Sequence, residues 1–159
     1  MTRTAPIAER IPRRRASVPP PPTTVYVETS ALLAALLEQD ATAQQVLRAP
    51  GRRVTSALTF AEANRGVVRA RHSGRITPAQ ERRALRALQT FSARCDIVDV
   101  TALILARAGR PFPIEPIRTL GAIHLATAEF LGELPQFLTV LTRDARVRDN
   151  AVSLGFATA

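Results

Sequence analysis

The sequence predicts an α/β protein with a central parallel sheet of four to five strands, covered by helices on both faces. Three observations lead there. Short β-branched and aromatic runs alternate with stretches of helical periodicity from Thr24 onward, and no internal repeat interrupts the alternation. A chain of 159 residues, 46% of them hydrophobic, suffices for one domain, and with no Trp the core must be aliphatic. Parallel strands require crossover connections, which the intervening helical stretches supply. Such sheets bind ligands beyond the carboxyl ends of their strands, near the point where the strand order reverses. Side chains just after each strand are therefore the first candidates for chemistry.

Residues 1–23 carry Arg3, Arg10, Arg13, Arg14 and Arg15 against Glu9 and end in Pro19 to Pro22. This composition predicts a disordered basic tail with a polyproline spacer, separate from a domain over 24–159. Thr24-Val25-Tyr26-Val27 reads as the first strand, and Ser30 to Leu37 as the helix that follows it after a tight turn. Val54-Thr55 predicts a second strand, and Ser56 to Arg71 a helix ending near Ser73-Gly74. Thr77 and Pro78 open another helix as N-cap and first helical residue, with Leu85, Leu88 and Phe91 on its apolar side. Ile97 to Val100 is the expected third strand, and Thr101 to Ala108 a helix broken by Gly109 and Pro111-Phe112-Pro113. Leu120, Ile123, Thr127, Phe130 and Leu134 recur at helical spacing, with Thr119 the candidate cap. Phe137 to Leu141 predicts the fourth strand, Ala145 to Leu154 the last helix and Phe156-Ala157-Thr158 a short final strand.

The formal net charge of +9 comes from arginine alone, since the chain has no lysine. The guanidinium fork suits phosphate oxygens, so an anionic partner is expected, although composition by itself does not single out RNA. Cys95 stands alone, which excludes an intrachain disulfide or a cysteine-based zinc site and favours a reducing cytoplasm. No apolar run approaches the roughly 20 residues that span a bilayer, so no membrane association is expected.

Glu28 directly follows the first strand, Glu62 lies in the helix after the second, and Asp144 comes shortly after the fourth. All three can converge on one end of the sheet, where clustered carboxylates imply a hard cation, Mg2+ or Mn2+. Each residue also has a plainer reading taken singly. Glu28 serves as a strand-end charge, Glu62 as a solvated carboxylate beside Arg65 and Arg69, and Asp144 as the N-cap of the last helix. The glycines form no phosphate-cradling fingerprint, and no serine-histidine-aspartate arrangement is evident.

Four motifs taken together are more specific. Val25-Tyr-Val-Glu-Thr-Ser-Ala-Leu-Leu, Thr55-Ser-Ala-Leu-Thr-Phe-Ala-Glu-Ala, Pro116-Ile-Arg-Thr-Leu-Gly-Ala-Ile-His-Leu-Ala-Thr-Ala and Leu141-Thr-Arg-Asp-Ala-Arg-Val stand in order along residues 24 to 158. They resemble the acidic motifs of PIN domains, and in particular of the VapC toxins of type II toxin-antitoxin systems. The resemblance implies a PIN-like three-layer α/β/α fold and a Mg2+- or Mn2+-dependent endoribonuclease. It further implies an RNA substrate, a cognate antitoxin that covers the acidic cleft, and a homodimer. By the same resemblance Glu28, Glu62 and Asp144 are the catalytic metal-site carboxylates, and Thr29 and Ser30 shape the first turn. Ser30 and Arg118 are the candidate substrate contacts.

Two positions depart from the family pattern. Glu28 stands where the family has Asp, and Gly121 where the third motif has Asp, so one carboxylate is lengthened and one metal-site position is empty of ligand atoms. A longer side chain displaces its carboxylate by about 1.5 Å, which the near-octahedral preference of Mg2+ tolerates poorly. Asp99 and Asp149 are the remaining acidic candidates for the lost place, and His124 is expected to be a packed or hydrogen-bonded core histidine. Weakened or lost activity follows from the two departures. The alternative function is a catalytically inactive PIN pseudoenzyme that holds RNA or an antitoxin.

Overall fold

The computed structural model describes residues 24–159, so the expectation of a basic tail over 1–23 lies outside the described residues. The elements run β1 (Thr24–Val27), α1 (Thr29–Leu37), α2 (Ala41–Arg48), β2 (Arg52–Ser56), α3 (Ala57–His72), α4 (Pro78–Ser92), β3 (Asp96–Val98), α5 (Ala102–Ala108), α6 (Thr119–Phe130), β4 (Leu138–Leu141), α7 (Ala145–Ser153) and β5 (Ala157–Thr158). A single turn of 3-10 helix, Pro135–Phe137, leads into β4.

The strands form one five-stranded sheet in the order β3-β2-β1-β4-β5, every pairing parallel. β1 is central because Val25, Tyr26 and Val27 are apolar on both faces, which only a strand covered on both sides can bury. Alternation along β1 then divides the core. Tyr26 points to one face with Leu138, Val140, Ile104, Leu125 and Val147, under α5, α6 and α7. Val25 and Val27 point to the other with Leu32, Val67, Leu88 and Leu141, under α1, α3 and α4. This is the three-layer α/β/α arrangement expected from the sequence. Connections leave β1 toward β2 on one side and β4 toward β5 on the other, so the strand order reverses between β1 and β4. Their carboxyl ends flank the crevice where such sheets bind ligands.

Several boundaries differ from expectation for identifiable reasons. β3 spans Asp96–Val98 rather than 97–100, because its partner β2 ends at Ser56, which pairs with Val98 and then caps α3 through its hydroxyl. Helix α6 begins with Thr119 as its first residue, with Arg118 at the cap position making no side-chain cap bond. The preceding loop sets this entry point. Glu115 accepts hydrogen bonds from the backbone N–H of Phe112 and Ile117, and Asn150 of α7 bonds both N–H and C=O of Ile114. The same helix stops at Phe130 because Gly132 adopts φ +64°, the left-handed region that favours glycine, and Leu134 is left exposed. Helix α2 was not expected. It is short and amphipathic, buries Ala43, packs Val46 and Leu47 against the core, and is started by Asp40, whose carboxylate accepts from Ala43 N–H at 2.9 Å.

Candidate active site

Glu28 leaves β1 at the mouth of the crevice, its backbone N–H still bonded to Leu141 C=O at 3.0 Å. The side chain then turns back as the N-cap of α1, accepting from Ser30 N–H at 3.0 Å. Glutamate is not among the usual N-cap residues. Here its Oε2 also receives the Ser30 hydroxyl and the Thr142 hydroxyl, the latter at 2.8 Å. The extra methylene is thus absorbed by folding the carboxylate back onto the start of its own helix, and the residue is 6% exposed.

Glu62, in the second turn of α3, faces the same crevice. Its Oε2 accepts from the Thr29 hydroxyl at 2.6 Å and lies 2.7 Å from His124 Nε2. His124 comes from α6 on the opposite face, is 1% exposed, and holds its Nδ1 2.8 Å from the Tyr26 hydroxyl. An ionised carboxylate can only accept, so in the neutral imidazole Nε2 carries the proton and Nδ1 accepts from Tyr26. Burial pushes the Glu62 carboxyl upward, but the hydrogen bonds from His124 and Thr29, with the charge of Arg69, outweigh it, holding it below the ordinary range. Burial, reinforced by the charges of Glu28 and Glu62, raises the Tyr26 phenol and keeps it protonated, as a donor to His124 must be.

Glu28, Glu62 and His124 each present a potential ligand atom, all within 4.8 Å of one another. In both carboxylates Oε2 is consumed internally, while among the described residues Oε1 receives no hydrogen bond. Two carboxylates that each keep an oxygen free of hydrogen bonds, Glu28 Oε1 lying 3.8 Å from His124 Nε2, suit a hard divalent cation, which needs only one or two carboxylates when substrate phosphate and water complete its shell. His124 Nε2 spends its proton on Glu62 and offers that cation no lone pair in this tautomer.

Asp144 stands apart from this cluster. It caps α7, its Oδ1 accepting from Arg146 N–H at 2.8 Å and Val147 N–H at 3.2 Å. It reaches Glu28 through one intermediary, since Thr142 donates to Glu28 and accepts from Asp144 N–H at 3.1 Å. A neighbouring cleft of about 460 Å³ is lined by Asp144, Gly121, Arg118 and Arg146, so the structure brings these residues together beside the carboxylate pair. Arg118 is exposed there. The Ser30 hydroxyl is committed to Glu28 and to Arg143 N–H at 2.8 Å, so it holds the site together from within. Asp99 and Asp149 are exposed and outside the cluster, so neither replaces the carboxylate missing at 121.

Gly121 has a packing role that sequence could not reveal. A Cβ there would lie 3.0 Å from Val147 Cγ2 and 3.4 Å from Ile117 Cγ1. The absent side chain allows α6 to approach the buried Val147 of α7. His124 is the hydrogen-bonded core histidine expected, but its partners Tyr26 and Glu62 could not be read from the sequence, since they lie 98 and 62 residues away along the chain. The one available signal was an ionisable residue in the otherwise apolar run Ala122-Ile-His-Leu-Ala.

The PIN domain family model matches residues 25–152, which take in nearly all of this parallel α/β/α arrangement short of its final strand, with both glutamates at its switch point. The chain belongs to the PIN-domain family. Among its relatives are VapC-type ribonucleases. Ribonuclease VapC46 of Mycobacterium tuberculosis (strain ATCC 25618 / H37Rv) is 38% identical over 134 residues, covering 83% of this chain and 93% of the relative. Ribonuclease VapC35 of Mycobacterium tuberculosis (strain CDC 1551 / Oshkosh) is 33% identical over 136 residues, with the same coverage. The fold is shared with Mycobacterium tuberculosis VapC20, described as a sarcin-ricin loop cleaving toxin, at TM-score 0.60 and 18% identity over 84% of this chain and 96% of that one. It is also shared with a chain of VapBC2 from Rickettsia felis, solved bound to a DNA fragment from their promoter, at TM-score 0.58 and 14% identity over 86% and 97%.

Proposed function

We propose that this protein is a divalent-metal-dependent endoribonuclease of the VapC toxin type. The observation that carries the proposal is the convergence of Glu28 and Glu62 at the switch point, each with Oε1 free of hydrogen bonds and Oε2 locked by neighbouring donors. These two residues are the metal ligands. Bound there, Mg2+ or Mn2+ would supply charge to stabilise the phosphate and lower the pKa of water for attack on a phosphodiester. Thr29, Thr142, Ser30 and His124 fix the two carboxylates, which removes the reorganisation that loose ligands would require. Asp144 completes the acidic edge from the adjoining cleft, and Arg118 and Arg146 on that cleft offer guanidinium groups to the RNA backbone. The cytoplasm is the setting that a lone cysteine favours; among the described residues no helix is long and apolar enough to cross a membrane.

The partner is a cognate antitoxin that occupies the acidic cleft, a reading supported by the fold likeness to chains solved as VapBC assemblies. A homodimer is the proposed oligomer. Leu103 and Leu105 of α5 and Leu120 of the adjoining α6 are exposed, and apolar side chains so placed suit a protein contact. Co-expression with a neighbouring antitoxin gene followed by size-exclusion with light scattering tests both; a lone monomer contradicts them.

A second reading, a PIN pseudoenzyme that binds RNA or antitoxin without cutting, is favoured by Gly121, which offers no ligand atom and where even a Cβ would press on Val147 at 3.0 Å. Incubation of the purified protein with structured RNA in Mg2+, Mn2+ or chelator separates the readings. Metal-dependent cleavage supports the enzyme, binding without cleavage supports the pseudoenzyme, and chelator-resistant cleavage overturns the metal mechanism.

A further inference from the structure

We infer that Tyr26 and His124 form a positioning relay for Glu62, so that the metal site depends on a phenol and an imidazole that touch neither metal nor RNA. The inference rests on the proposed metal role of Glu62. The relay is short and buried up to its Glu62 end: the Tyr26 hydroxyl lies 2.8 Å from His124 Nδ1, and His124 Nε2 lies 2.7 Å from Glu62 Oε2, whose side chain is half-buried. Tyr26 is 0% exposed and His124 1%, so water cannot stand in for either partner.

The direction of the relay follows from what each group can do. Glu62 accepts, so Nε2–H donates; Nδ1 is then the acceptor and Tyr26 O–H the donor. Removing the phenol frees the imidazole to adopt its other tautomer, which would turn a lone pair toward Glu62 Oε2 and repel it. Tyr26 therefore specifies the tautomer, and the tautomer specifies the carboxylate's orientation. The Thr29 hydroxyl, 2.6 Å from the same Oε2 and 3.1 Å from Nε2, closes the triangle and leaves Oε1 as the free oxygen.

The position in the fold gives the relay its purpose. Tyr26 lies in the central strand and His124 in α6, so the relay ties Glu62 of α3 through the sheet to the opposite helical layer. It does so one helical turn from Gly121, where the family's third acidic motif has no side chain. With fewer carboxylates to define the site, the geometry of each remaining one matters more, and a buried imidazole beside Glu62 fixes one of them without adding negative charge.

The test uses the full chain, the single variants Tyr26→Phe, His124→Gln, His124→Leu and Glu62→Gln, and the double variant Tyr26→Phe with Glu62→Gln, with Mn2+ affinity read by calorimetry and folding by circular dichroism. Partners that orient metal ligands typically contribute about 10–100-fold to affinity, so Tyr26→Phe and His124→Leu are each expected to weaken Mn2+ binding by about 10-fold or more. His124→Gln, whose amide can still donate to Glu62, is expected to retain more of it. In the Glu62→Gln background Tyr26→Phe should have no further effect. A structural role alone would predict equal losses in both backgrounds, and that result overturns the relay. Nitrogen NMR of the imidazole without metal provides a second, independent readout. The expected result is protonation at Nε2 in the parent, with a shift toward the Nδ1 tautomer in Tyr26→Phe; protonation at Nδ1 in the parent overturns the relay. If the parent binds no Mn2+ yet shows the Nε2 tautomer lost in Tyr26→Phe, the metal reading fails and the relay stands.

Discussion

Gly121→Asp restores the acidic residue of the family's third motif, and the structure determines what that restoration costs. A Cβ at 121 meets Val147 Cγ2 at 3.0 Å and Ile117 Cγ1 and Cδ1 at 3.4 and 3.5 Å. Val147 is 1% exposed and has little freedom to yield. Overpacking of this kind costs about 1–3 kcal/mol. Against that, aspartate in the first turn of α6 meets the positive end of the helix, worth about 0.3–1 kcal/mol, and glycine's own helix penalty is relieved by a few tenths. The clash prevails by about 1 kcal/mol, which for a domain of this size lowers the metal-free melting temperature by about 2–4 °C. Added metal should reverse the order: a third carboxylate strengthens Mn2+ binding, and a ligand bound only by the native state stabilises by mass action. Thermal melts of parent, Gly121→Asp, Val147→Ala and the double variant, with and without Mn2+, isolate the contact. In the Val147→Ala background the metal-free penalty of Gly121→Asp should vanish, a coupling of about 1 kcal/mol. An equal penalty in both backgrounds refutes the packing argument. A metal response no larger than the parent's refutes the placement of residue 121 beside the acidic cluster.

Two further perturbations test how the site is anchored. The Arg143 guanidinium grips Asp40 with both nitrogens, 2.6 and 3.1 Å from the carboxylate oxygens, and that hydrogen bonding pulls the Asp40 pKa down to about 2 from 3.8. Because the folded-state value is depressed, the pair's stabilisation is fully present above the unfolded value and is lost as pH falls through the folded one. The parent should therefore lose this contribution between about pH 4 and pH 2, while Asp40→Asn should be less stable above pH 4 and show a flatter profile below it; parallel profiles contradict the assignment. Arg53, 9% exposed, donates to the carbonyls of Gly51, Val46 and Ala49 at the end of α2. Arg53→Lys replaces a fork that reaches three carbonyls with a single ammonium and should cost about 1 kcal/mol in denaturant melts; an unchanged midpoint would falsify the clamp.

The fold was legible because its signals are local. Val25-Tyr26-Val27 and Leu138 to Leu141 read as buried strands from their own composition, and Thr77, Thr101 and Asp144 mark helix starts that the backbone uses as expected. Helix α2 escaped because it is only eight residues long, its apolar face of Ala43, Val46 and Leu47 spanning little more than one turn; Asp40 as an N-cap was its signature. The site was legible only as far as residue type and order could carry it. Glu28 and Glu62 follow strands and do converge, whereas Asp144 is drawn to its helix start and lines the adjoining cleft. The bonds that lock Glu28 to Thr142 and Glu62 to His124 join residues 114 and 62 positions apart, and nothing local encodes them. Gly121 read as an unexplained loss because the Val147 methyl that takes its space belongs to another helix.

The account turns on whether Glu62 is a working metal ligand. Single-turnover cleavage of a structured RNA, at saturating Mn2+ and with folding checked by circular dichroism, measures this for the parent and Glu62→Gln side by side. The account predicts cleavage by the parent that chelator abolishes, and none by the equally folded Glu62→Gln. Cleavage by Glu62→Gln at the parental rate, or parental cleavage that survives chelator, would contradict it.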